Sequence, residues 1–349
     1  MQKLQIEIST ETILKAIFII LAIWFLFLVK DIILLLFVAI IISSAIEPII
    51  DILETKKIPR VIGVMSIYLL LFFIIGLMIS FLIPPITYQL NDLSQNIPQH
   101  YQKMQDSFKP ISDFFQTKNV DVSIQDFFSN ADSWVSRASQ NIFSTTVGVF
   151  SGLISTIVVL SLAFYMTLVK DGINKFVALV TPGKHQKYAI GLTIKIKHQI
   201  GKWLQGQLML MLIIFILDFI GLSIIGIPYA LVLAVIAGLL EIIPYIGPVL
   251  AAIPGIILGF LISPLIGLLA FVIYFIVQQA EGHILTPLIM KKAVGLNPVA
   301  VILALLAGAK LGGILGAIIA IPVATALGIF IKDLFSKNNK ITNNLKQTD

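Results

Sequence analysis

Three acids stand inside segments otherwise too apolar to hold a charge. Asp218 lies in the run Leu208–Ile225, Glu241 just ahead of Pro244-Tyr245-Ile246-Gly247-Pro248, and Glu281 at the end of a long apolar stretch that closes with Gln278-Gln279. A charge at such depth costs about 3 kcal/mol or more, so each acid should face protein, water or a partner. A carboxylate held there can bind a cation or pass a proton. Glu241 has a further resource, because Pro244 removes a backbone donor and leaves carbonyl oxygens free to complete a cation site. Gln278 and Gln279, one turn before Glu281, are suited to lining a wet cavity. Lys310 is the one cation within the last apolar block. It can pair with an acid such as Glu281 or Asp218, attract an anionic solute, or rest solvated among outer headgroups. Blander readings stay open for the acids too: Glu241 and Glu281 as helix ends in interfacial water, Asp218 as a protonated helix–helix contact.

Glycines and prolines punctuate the same region and set how these side chains are presented. Pro244, Gly247, Pro248, Pro287, Gly312 and Gly313 are the expected helix breaks. Lipid offers nothing to an unpaired backbone N–H or C=O, so a break at that depth survives only where protein or a wet cavity covers it. Interrupted apolar segments carrying charges are therefore the sequence mark of a transport site. Gly308, Gly312, Gly313 and Gly316 are read first as permitting close helix contact.

The wider composition agrees. The chain is 58% hydrophobic and 12% charged, with a mean hydropathy of +1.00, where a soluble domain would carry about twice that charge. Several runs reach the roughly 20 apolar residues that cross a bilayer, and they are continuous rather than alternating. The expectation is an all-α polytopic membrane protein of about 6–8 transmembrane helices. Absence of cysteine excludes disulfides and thiolate metal sites, and the four histidines show no ligand spacing. No P-loop, HExxH, GxSxG or dinucleotide fingerprint occurs, so no enzyme, metal or cofactor is expected. The net charge of +6 is matched by Lys170–Lys202 alone, seven lysines against Asp171. That is a topology signal rather than a nucleic-acid footprint.

The organisation follows in order. Residues 1–86 hold three spans, near 12–29, 32–46 and 61–83, with a minimal turn at Lys30-Asp31. Residues 87–145 are polar, with amphipathic stripes, and form an expected helical domain outside the cytoplasm. A fourth span covers 146–169. The basic segment 170–207 contains an expected interfacial helix over Lys187–Gln207. Residues 208–332 form an expected transporter core, and 333–349 a polar tail. Within the core, spans 208–225 and 228–243 precede two pairs: 249–262 with 265–280, flanking Ser263-Pro264, and 299–309 with 311–331, flanking Lys310. The stretch 299–309 rises only about 16 Å, which suits a re-entrant hairpin with Lys310 and the glycines near its tip. Lysine and arginine placement puts both termini in the cytoplasm.

The motifs Glu241-Ile-Ile-Pro-Tyr-Ile-Gly-Pro248, Gln278-Gln-Ala-Glu281 with Thr286-Pro287, Leu296-Asn-Pro298, and Gly308…Gly312-Gly-Ile-Leu-Gly316…Ile321-Pro322 resemble, in order and spacing, the AI-2E family of bacterial transporters. The resemblance covers nearly the whole chain. It implies an inner-membrane exporter of a small polar solute, such as an autoinducer-2-like signal, assembled as a homo-oligomer. In some members it implies sodium (lithium)/proton antiport instead. Asp218 matches no motif position of that family, and Lys310 stands where relatives carry an uncharged residue. A different class, a non-transporting scaffold acting through the amphipathic domain, is the remaining alternative.

Overall fold

The computed structural model describes residues 10–77, 79–81, 84–85, 88, 156–290 and 297–345, all of it helix, turn or loop. Apart from Tyr88, the segment 87–145 expected to form the outer helical domain lies outside the described residues. The helices are α1 (Thr10–Leu28), α2 (Lys30–Thr55), α3 (Arg60–Phe81), α4 (Thr156–Leu168), α5 (Gly172–Val180), α6 (Gln186–Ile224), α7 (Ala230–Leu240), α8 (Ile246–Ile262), α9 (Pro264–Ala280), α10 (Thr286–Met290) and α11 (Pro298–Leu345). Among the described residues, five helical stretches are long and apolar enough to cross a membrane, and six if the bent pair α4–α5 counts as one. The protein is an all-α polytopic membrane protein.

The centre of the assembly is α6, 39 residues without a break. The expected division of this stretch into an interfacial helix over Lys187–Gln207 and a separate span does not exist. The polar residues near its middle point into protein instead of ending the helix. Ile200, Trp203, Gln207, Leu210, Ile214, Asp218 and Leu222 are buried at intervals of three or four, one continuous stripe along one face. Gly201 lets α2 approach so closely that a Cβ there would overlap the Ser44 carbonyl oxygen. Ile41, Ile200, Trp203, Met290, Leu305 and Ile321 close one core between α2, α6, α10 and α11.

A left-handed Gly226 (φ +75°) reverses the chain from α6 into α7, which runs back along α6 with Gly238 against Phe215 and Met211. Tyr245, at φ +67°, turns the chain again into α8. Ser263 then caps α9, its hydroxyl oxygen accepting from Ile266 N at 3.2 Å, with Pro264 in the first helical position. Gly255 faces Tyr274 and Gly259 faces Gly267, so α8 and α9 form a tight antiparallel hairpin. The break expected at Ser263-Pro264 is where the sequence puts it.

Two differences concern the ends of helices. α1 leads into α2 through Val29 alone, whose N–H and C=O stay in the helical ladder (3.0 Å to Phe25 O and from Ile33 N). Helix also continues through Pro287. The irregularity lies just before it, in a π-helical turn, Glu281–Leu285, that widens the coil ahead of the missing proline N–H. In α11, by contrast, Gly312 and Gly313 leave helical geometry, Gly313 at φ +59°. Gly308 and Gly316 then meet backbone to backbone, which folds the two limbs of α11 into a hairpin.

Candidate functional site

The three acids come from three helices and converge. Glu241 caps the C-terminal end of α7 and is 1% exposed. Its backbone carbonyl accepts from Gln207 Nε2 of α6 at 2.5 Å, which ties the α7–α8 turn to the middle of α6. Gly247 makes that turn possible: a Cβ there would overlap the Leu240 carbonyl. Glu281 opens the π-helical turn and is 7% exposed, its carboxylate accepting from Gln278 Nε2 at 2.8 Å. Glu241 and Glu281 line one cavity together. Asp218, 2% exposed on α6, lines a second cavity with Glu281.

These groups line two adjoining cavities. One, of about 290 Å³, is walled by Asp218, Tyr274, Gln278 and Glu281 amid apolar side chains of α6, α7, α8 and α9. The other, of about 280 Å³, is walled by Trp203, Gln207, Glu241, Tyr245, Gln278, Glu281 and Thr286, with Met290, Val301 and Ile321 behind. Gln278 and Glu281 belong to both. They form a polar partition between two chambers, each roomy enough for a small solute or several waters. Gln207 and Asp218 sit eleven residues apart on one face of α6, so the chambers are stacked over about 16 Å of its length.

The polar lining is short of partners. Among the described residues, neither carboxyl oxygen of Glu241 has a donor, and Asp218 Oδ1, Gln207 Oε1 and the Tyr274 hydroxyl also lack a partner. Among the described residues, no lysine or arginine lines either chamber. Buried acceptors left in this state are costly, and a ligand, proton or water in the chambers relieves them. Among the described residues no cluster of three His, Asp or Glu is arranged to hold a metal ion.

The sequence-selected residues divide accordingly. Asp218, Glu241, Gln278 and Glu281 meet at the chambers, with Pro244 and Pro248 on their walls and Gly247 behind. Gln279 and Pro287 are exposed. Lys310 is exposed two residues before the Gly312–Gly313 break and takes part in neither chamber. Gln207 and Tyr274 are the residues that sequence reasoning missed. Gln207 is readable as a site residue only once α6 is taken as one helix, because it then shares a face with Trp203 and Asp218.

The profile of a family described as "AI-2E family transporter" matches residues 13–336. The chain is 33% identical over 297 residues to YueF of Bacillus subtilis (strain 168), covering 82% of this chain and 80% of the relative. It is 30% identical over 321 residues to YrrI of the same organism, covering 87% and 86%. It is also 24% identical over 303 residues to the AI-2 transport protein TqsA of Escherichia coli (strain K12), covering 86% and 84%.

Proposed function

The chain belongs to the AI-2E transporter family, and from that premise we propose that it exports a small polar solute, of the autoinducer-2 type, across the bacterial inner membrane. The observation that carries this reading is the partition: Gln278 and Glu281 are shared by two stacked chambers, so a small movement of these two side chains joins or separates them. The name of the relative TqsA supports the choice of solute. In this reading residues 208–332 are the transport core, both termini are cytoplasmic, and 87–145 lies outside. The limbs of α11 form a re-entrant hairpin, since the first limb, 298–311, rises only about 21 Å against about 30 Å of hydrocarbon. The exposed apolar faces of α1 and α3 are covered by lipid and by neighbouring copies in a homo-oligomer.

A second reading has its own support. Three buried acids, two of them with unfilled acceptors, and no basic residue among the described residues that line the chambers suit exchange of a sodium or lithium ion for a proton at the Glu241–Glu281 pair. Reconstituted liposomes decide between the two. Export predicts flux of autoinducer-2 that falls at least about tenfold in Glu281→Gln, with the variant still monodisperse and folded. Exchange predicts instead that added Na⁺ or Li⁺ dequenches a pH dye in inverted vesicles, and that the same substitution abolishes it. Normal flux in Glu281→Gln by both assays removes Glu281 from the route.

A further inference from the structure

We propose that α5 and the turn after it form a docking surface for anionic phospholipid, separate from the transport chambers. α5 leaves α4 at an angle of 81°, as a helix does when the chain exits a span and lies along the bilayer surface. None of its residues is buried. Phe176, Leu179 and Val180, at spacings i, i+3 and i+4, form one apolar stripe with exposures of 65%, 84% and 62%.

The lysines around this stripe are of two kinds. Lys170, Lys195 and Lys197 are committed to protein acids: Glu54 at 3.0 Å, Asp333 at 2.9 Å and Glu47 at 2.6 Å. Lys175, Lys184 and Lys187 are exposed and make no ion pair among the described residues, and the exposed His185 stands between the last two. The nearest acid in sequence, Asp171, accepts from Asn174 Nδ2 at 2.9 Å. An apolar stripe edged by three uncommitted ammonium groups is complementary to acyl chains beneath a layer of phosphate diesters. A purely zwitterionic surface offers those cations no net counter-charge, because each of its phosphates is already balanced by its own headgroup cation. The interfacial element of the basic segment is thus α5, not the Lys187–Gln207 stretch, whose Ile200 and Trp203 are buried against the core.

The chain has no native cysteine, so Leu179→Cys gives a single fluorophore site on the full-length protein. The labelled protein is reconstituted in phosphatidylcholine vesicles containing a trace of quencher-labelled phosphatidylglycerol or, at equal mole fraction, quencher-labelled phosphatidylcholine. Each surface lysine contributes about 1 kcal/mol toward an anionic leaflet, roughly a fivefold preference, in low salt. The expected result is quenching several-fold stronger by phosphatidylglycerol, diminished by 0.5 M salt and lost in the Lys175→Gln/Lys184→Gln/Lys187→Gln variant. Equal quenching by the two lipids overturns the proposal, as does a preference that survives the triple substitution. No quenching by either lipid overturns it too, because the stripe is then covered by protein. All four substituted side chains are exposed, and a monodisperse elution profile confirms that the variants fold.

Discussion

Replacing Gly247 with alanine tests the geometry that holds Glu241 in place. The added Cβ would overlap the Leu240 carbonyl and come within 3.1 Å of the Glu241 backbone nitrogen. All of these are main-chain atoms, so no side-chain rotation relieves the clash. Carbon–carbon contact needs about 3.5 Å, so the α7–α8 turn must open by about 1 Å or more. Overpacking of this kind costs about 2–3 kcal/mol. The same movement pulls the Glu241 carbonyl from Gln207 Nε2, now 2.5 Å away, which adds about 1 kcal/mol. The sum of about 3–4 kcal/mol lowers the thermal midpoint of the purified protein by about 5–10 °C. Intrinsic fluorescence during a temperature ramp in detergent measures it. Gly191→Ala is the control: it sits inside α6 with nothing within 4 Å of its Cβ, and its midpoint should be unchanged or slightly raised. If Gly247→Ala melts with the unmodified protein, the close approach of the turn to Leu240 is wrong, and so is the placement of Glu241.

Gln207→Leu removes the donor to the buried Glu241 carbonyl and should cost about 1–3 kcal/mol in the same melt, while Gln205→Leu, at a half-exposed neighbouring bond, should cost less. Asp218→Leu replaces an acid with an unfilled acceptor by an apolar group; the midpoint should rise by a few degrees while flux falls, and a stable variant with unchanged flux would make Asp218 a bystander. Arg60→Met should destabilise by about 2–3 kcal/mol, because it strips Asp51, Glu54 and the Thr167 carbonyl of one shared partner whose side chain is 9% exposed. Gly313→Ala, at φ +59°, ψ −141°, should cost about 1–3 kcal/mol through backbone strain alone, with no steric neighbour involved.

Much of the architecture is legible in the residues. Apolar run length gives the spans, Ser263-Pro264 gives the α8–α9 turn by its cap and fixed φ, and Gly312-Gly313 gives the fold of α11 because only glycine tolerates that backbone. The deep acids are legible because charge in such surroundings demands an explanation. What misleads is polarity used as a boundary. Lysines and glutamines before Leu208 look like the end of a buried element, yet Gln207 bonds to Glu241 and Gly206 packs on Met290 without interrupting α6. Pro287 misleads differently: helices tolerate proline near a first turn, so the chain widens at Glu281–Leu285 instead of stopping. Tyr274 is hidden among the aromatics of α9, and nothing local separates it from Phe271 and Phe275, which are exposed. Convergence of α6, α7 and α9 is a tertiary fact that no spacing encodes.

The unbroken length of α6 has a mechanical consequence. Its 39 residues extend about 58 Å, nearly twice the hydrocarbon thickness, so one end must project well beyond the membrane. The N-terminal part is moored by Lys197 to Glu47 of α2 and by Lys195 to Asp333 of α11. A rod so fixed carries tilt or rotation from its moored end to Gln207 and Asp218 together. On the proposed route, neither compartment can be reset by α6 without disturbing the other.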